Sequence, residues 1–208
     1  MTLFELLRAR AKTHEGIIVS RSSRRLVSWR KFWSRIERGT ARLQGEWGVT
    51  RGDTVAYWGL GHQDALMLYI ATARCGARLL PLEHASLQQA SATILRDIPV
   101  KILLHDDELS FAQPPAAPII TNLSSLIATR SFHAPVVTED VLLPSLITLF
   151  RDANGRFRTE EHSLQQLSLM TSPPVAQEFK VGAALFDNDV FAPQVLSTLT
   201  VGGTIIFR

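Results

Sequence analysis

Between residues 53 and 104 the sequence alternates between two periodicities, and this limits the fold more than any other feature. Residues 53–58 (DTVAYW) are a short β-branched and aromatic run of strand length. Residues 63–75 put Ala65, Leu66, Tyr69, Ile70 and Ala73 on one helical face, and 77–82 return to strand character. A further helix over 86–96 and a strand over 100–104 repeat the unit. Alternation at this pitch makes a parallel sheet with covering helices. The expected class is α/β, parallel sheets flanked by helices.

The flanks fit that frame. Leu3, Phe4, Leu7 and Ala11 make residues 2–13 an amphipathic helix, and 17–20 and 26–27 are short strands around the basic loop at 21–25. Ser28 is a natural N-cap for a helix whose Trp29, Phe32, Trp33, Ile36 and Leu43 form one stripe. Aromatics beside basic residues suggest base stacking, but their helical spacing favours a core. Residues 106–140, with Pro114, Pro115 and Pro118, read as a linker or excursion. It separates a βαβ-rich N-terminal part, 1–105, from a second α/β segment, 141–208. In the latter, a break at Pro173-Pro174 is followed by a strand over 180–186, a helix over 190–200 and a strand over 204–207.

Charge is unevenly spread. The first 51 residues hold 12 Lys/Arg against 4 Asp/Glu, and the remainder 10 against 15. Such asymmetry marks either a nucleic-acid or anionic-membrane surface or a solvated basic face paired with the acidic half of the same molecule. One cysteine, Cys75, excludes an internal disulfide. No apolar run reaches membrane-spanning length and no signal-peptide core is present, so the expectation is a cytoplasmic protein without a membrane span.

Residues 145–164 (SLITLFRDANGRFRTEEHSL) carry the candidate chemistry. A buried-strand run over 145–150 meets a tight turn at Asn154-Gly155. Thr159 then suits an N-cap, with Glu160 and Glu161 in a first helical turn and the helix running over 159–170. Strand, loop and helix N-terminus is the arrangement that cradles phosphate. The side chains argue otherwise: Gly155 is the single glycine among Arg151, Asp152, Asn154, Arg156, Phe157 and Arg158.

Four stretches, in order, resemble the N-terminal part of the adenylate-forming family of acyl-CoA synthetases, aryl-CoA ligases and peptide-synthetase adenylation domains. They are LVSWRKF from Leu26, GVTRGDTVA from Gly48, RCGARLLPL from Arg74, and Phe186-Asp187 with TLTVGGTI from Thr198. The resemblance implies ATP- and Mg²⁺-dependent activation of a carboxylate followed by thioesterification. It implies that Asn154, Gly155 and Arg158 stand in the phosphate loop, Gly155 as its last glycine and Arg158 near its lysine. Phe186 and Asp187 would lie near the substrate acid, where Asp187 faces the amine of amino-acid substrates. Asp187, Asn188 or Asp189 equally suits a cap for the next helix.

The departures are as informative. The loop's hydroxyls and remaining glycines are absent, and the sequence ends at Arg208, before the family's adenine, ribose and hinge motifs and its catalytic lysine. The expectation is a truncated ligase-like protein, with no catalytic residue of its own to assign, that binds an acyl or aryl group or serves as an interaction module. No cofactor is expected, and ATP/Mg²⁺ enters only where the family activity survives. The alternative is one part of a split or oligomeric ligase, with a second copy or a complementing subunit. No nucleic acid is expected on either reading; a third reading makes the basic N-terminal quarter an RNA- or membrane-surface binder.

Other constellations are weaker. Gly59-Leu-Gly61-His-Gln-Asp64 approaches a dinucleotide fingerprint with Glu83 some twenty residues on, but Asp64 stands where a small residue is needed. The run at 105–108 (HDDE) groups hard-metal ligands without the spacing of a site, and the histidines show no zinc pattern.

Overall fold

The computed structural model describes residues 3–13, 17–20, 25–82, 88–106, 117–128, 134–138, 140–171, 178–182 and 184–207. Residues 21–24, 83, 107, 108, 114, 115, 173 and 174, which figure in the sequence reading, lie outside these. Elements in chain order are α1 (Leu3–Thr13), β1 (Ile17–Ser20), β2 (Arg25–Ser28), α2 (Trp29–Gly45), β3 (Thr54–Trp58), α3 (Gln63–Arg74), β4 (Arg78–Pro81), α4 (Gln88–Asp97) and β5 (Ile102–His105). They continue with β6 (Ile120–Asn122), α5 (Ser125–Ala128), β7 (Pro144–Arg151), β8 (Phe157–Ser163), α6 (Leu164–Leu169), β9 (Glu178–Val181), a π-helical turn Phe191–Leu196, α7 (Ser197–Thr200) and β10 (Thr204–Phe207).

Two sheets result. The larger has the order β6-β5-β3-β4-β7-β8, parallel except for the β7–β8 pair; the smaller is β2-β1-β10-β9, with β1, β10 and β9 parallel. Each draws strands from both sides of residues 106–140, and β6 and α5 lie within that span. Both faces of the central strands are buried, as helix-covered parallel strands require. Val55, Tyr57, Leu79, Ile102 and Leu104 enter the main core, while Ala56, Leu80, Leu103 and Ile147 face Ile94 and Leu95 of α4.

α3 contacts β4 and β7 of the larger sheet and β1 of the smaller. All its residues but Asp64 are buried, so the single apolar face expected from spacing is really a helix enclosed on every side. α2 is capped by Ser28, whose hydroxyl accepts the Lys31 N–H. Its Trp29, Phe32, Ile36 and Leu43 are fully buried, which makes the aromatic stripe core.

One expectation is overturned. Residues 157–163 continue not as a helix capped by Thr159 but as β8, antiparallel to β7, with Thr159 opposite Leu149 and Glu160 opposite Thr148. Cross-strand contacts explain the preference: the Arg151 guanidinium lies over the Phe157 ring at 4.1 Å, and Glu161 pairs with Arg78 of β4. The helix starts five residues later. Ser163 accepts the Gln166 N–H and the Gln166 side chain returns to the Ser163 N–H, a complete capping box.

Candidate functional site

The tip of the β7–β8 hairpin is where the candidate phosphate residues lie, and the backbone N–H groups of Asn154, Gly155 and Arg156 are already engaged. Asp152 Oδ1 accepts the N–H groups of both Asn154 and Arg156 at 2.9 Å, and its Oδ2 accepts from Arg158 Nε at 3.1 Å. The Gly155 N–H goes to the Asp152 carbonyl, and Arg151 bonds the Gly155 carbonyl. Gly155 has φ 73°, so the turn needs glycine for its backbone conformation, while the space around it is open. Hydrogen bonding from the Arg156 N–H, then from Arg158 and Asn154, holds the Asp152 carboxyl below its usual range, outweighing a smaller desolvation effect. A concave set of backbone N–H groups is an anion nest. Here the anion is the chain's own carboxylate.

Phe186 and Asp187 lie elsewhere. The Phe186 ring is buried against Phe191 at 5.1 Å and Tyr69 at 6.2 Å between centroids. The Asp187 carbonyl accepts from Val190 and Phe191, and its exposed carboxylate accepts the Asp189 N–H at 3.3 Å, which begins the π-helical turn. The Tyr69 hydroxyl meets Ser145 Oγ at 3.1 Å near the start of β7, and burial drives its pKa upward against that bond. The hairpin tip lies beyond the far end of β7. Six residues from Ser145 to Arg151 at about 3.3 Å each put about 20 Å of strand between the two groups.

A third cluster went unread in the sequence. The order β6-β5-β3-β4 makes the chain leave β3 toward β4 and later return to β5 on its other side. The loops after β3 and β5 thus part at a switch point, the usual crevice of an open α/β sheet. There His62 Nε2 and the Tyr57 hydroxyl both reach Asp106 Oδ1 at 2.8 Å, and the Leu60 N–H reaches Oδ2 at 2.9 Å. His62 Nδ1 accepts the Asp64 N–H and caps α3, so Nε2 carries the proton toward Asp106. A Cβ at Gly59 would stand 2.3 Å from Tyr57 Oη and 2.4 Å from Asp106 Oδ2. The glycine of the near-fingerprint therefore makes room for Asp106 rather than for a pyrophosphate, and Asp64 pairs with Arg35 at 3.1 Å.

Burial alone would raise the Asp106 pKa, but the bonds from His62, Leu60 and Tyr57 together bring it below 3.8. A depressed carboxylate stabilises the fold above its ordinary value and stops doing so as pH falls through the lowered one. Asp106→Asn is expected to cost about 1–2 kcal/mol at pH 6, with the gap to wild type closing below about pH 3.8 in urea titrations. A gap that stays constant down to pH 2.5 would refute this.

No group of three or more His, Cys, Asp or Glu is arranged for a metal among the described residues. Cys75 is buried, which pushes its thiol up to about 12 against the pull of Arg74 and leaves it unreactive. No helix among the described residues is long and apolar enough to cross a membrane.

Comparison with known proteins follows the same lines. Residues 7–148 match the family described as AMP-binding enzyme. Among solved structures, the chain superposes on the Klebsiella oxytoca NpsA N-terminal subdomain in complex with 3-hydroxyanthranilyl-AMSN. The TM-score is 0.79 at 17% identity, over 98% of this chain and 53% of that one. It superposes on the N-terminal domain of FACL13 from Mycobacterium tuberculosis with TM-score 0.81 at 16% identity, over 100% of this chain and 57% of that one. A Mycobacterium tuberculosis fatty acyl CoA synthetase gives 0.80 at 15%, covering 100% and 44%. The chain thus spans about half the length of these three structures. No curated protein matches its sequence.

Proposed function

Since the chain belongs to the AMP-binding enzyme family, we propose that it is a carboxylate-activating fold that does not adenylate on its own and serves as an acyl- or aryl-binding or interaction module. The observation behind this is the hairpin tip. A triphosphate needs the N–H groups that Asp152 occupies, and it would meet the carboxylate's charge there. The residues at the tip therefore do not fit ATP and Mg²⁺, and no reaction step is assigned to them.

The test is ATP–pyrophosphate exchange by the purified chain across fatty, aryl and amino acids. The expected result is exchange at the no-enzyme background with every acid. Exchange above background that depends on one acid would overturn the proposal.

A second reading, one part of a split or oligomeric ligase, draws on coverage and on surface. The matched structures are about twice as long, and Leu142 and Leu169 are 68% and 81% exposed. This reading predicts a dimer or larger assembly. A monodisperse monomer by light scattering at about 100 µM, far above a micromolar Kd, would count against self-association.

A further inference from the structure

α1 and α2 flank an open groove of about 460 Å³, within the size range of small-molecule sites. α1 presents Arg8 and Lys12 one turn apart, with Ala11 between them giving depth; α2 presents Arg30 and Trp33 one turn apart on the facing wall. The side chains of Arg8, Lys12 and Arg30 make no ion pair or hydrogen bond with any described residue. Three cations on one concavity repel each other, and an anion placed among them relieves that repulsion. Glu37 also lines the groove, but its carboxylate accepts from Trp33 Nε1 at 3.0 Å, and the groove remains net positive. The Trp33 ring is fixed from behind by the Arg74 guanidinium at 4.8 Å. The basic surplus of the first 51 residues thus has a local expression.

We propose that this groove binds a small organic phosphate, with the phosphate held by Arg8, Lys12 and Arg30 and an apolar or aromatic body lying along the groove floor, where the largely buried Ala11 and Trp33 show only their edges. The site lies on helices that supply no residue of the hairpin tip, so it stands or falls separately from the adenylation proposal.

The probe is 1-naphthyl phosphate, titrated calorimetrically into the chain at low salt, with 1-naphthol and inorganic phosphate as controls. Saturable one-to-one binding is expected, weakening at least about tenfold in Arg8→Gln/Lys12→Gln and in Arg30→Gln. It should also weaken on raising salt. Arg30→Lys should keep most of the affinity, and circular dichroism should show all variants folded, since these side chains are exposed. Absence of saturable binding, or binding indifferent to the charge variants, would overturn the proposal. Equal affinity for 1-naphthol would reduce the groove to an apolar surface, and equal affinity for inorganic phosphate would remove the organic body. Co-sedimentation with phosphatidylserine vesicles without naphthyl phosphate binding would make it a lipid-surface contact instead.

Discussion

Alanine at position 59 is expected to destabilise the chain by about 2–4 kcal/mol, measured as a fall in the urea midpoint at unchanged slope. The added methyl group has no side to yield on. Tyr57 is fully buried, and its hydroxyl is held by the Leu60 carbonyl at 2.7 Å, His62 at 3.1 Å and Asp106 at 2.8 Å. The carboxyl group of Asp106, 2.4–2.5 Å from the new Cβ, bridges the loops after β3 and β5. Overpacking alone costs about 1–3 kcal/mol, and displacing a hydrogen-bonded carboxylate adds about 1.5–3 kcal/mol, partly the same strain. Removing the phenol oxygen should relieve part of the clash, so Tyr57→Phe/Gly59→Ala should cost less than the two single changes summed, by about 1 kcal/mol. A Gly59→Ala protein within 0.5 kcal/mol of wild type would mean that Gly59 is not a spacing residue.

That cluster shows where sequence reading stops. The α/β class was legible because strand and helix periodicities alternate cleanly from Thr54 to His105, and Ser28 announced α2 through its side chain. Asp106 and His62 are 44 residues apart, and their meeting depends on β5 returning to the far side of β3. Local pattern does not encode strand order. The Gly-Leu-Gly run was visible, but its reason, a carboxylate from another strand, was not.

The hairpin failed differently: a better signal was present for the start of the helix, but none for the strand. Thr159 with two glutamates has the composition of a helix start, but Ser163-x-x-Gln166 is the full capping pattern and lies four residues on. The strand over residues 157–163 is instead supported by cross-strand partners on β7 and β4. Tertiary pairing overrode a weak local preference. The poverty of glycine was legible in the sequence, whereas the use made of Asp152 needed coordinates.

Replacing Asp152 should change what the hairpin tip can hold. In Asp152→Ala the Asn154 and Arg156 N–H groups and Arg158 Nε lose their acceptor, while Gly155 keeps its backbone bond to residue 152 and its turn. Donors arranged around a carboxylate and then stripped of it face solvent as an open nest, and the like charge that opposed an entering anion is gone. Pyrophosphate is therefore expected to shift the amide resonances of residues 154–156 saturably in the alanine variant. Its affinity should be at least about tenfold above wild type at low salt and should fall as salt is added. Asp152→Asn separates occupancy from charge: its side-chain oxygen still accepts both N–H groups, so it should gain far less than alanine. The depressed pKa predicts the same opening by titration, at a pH below the usual carboxylate range rather than within it. Wild type binding pyrophosphate at these amides as tightly as the alanine variant would show that Asp152 does not fill the nest. The proposal that this chain cannot adenylate alone would then lose its structural basis.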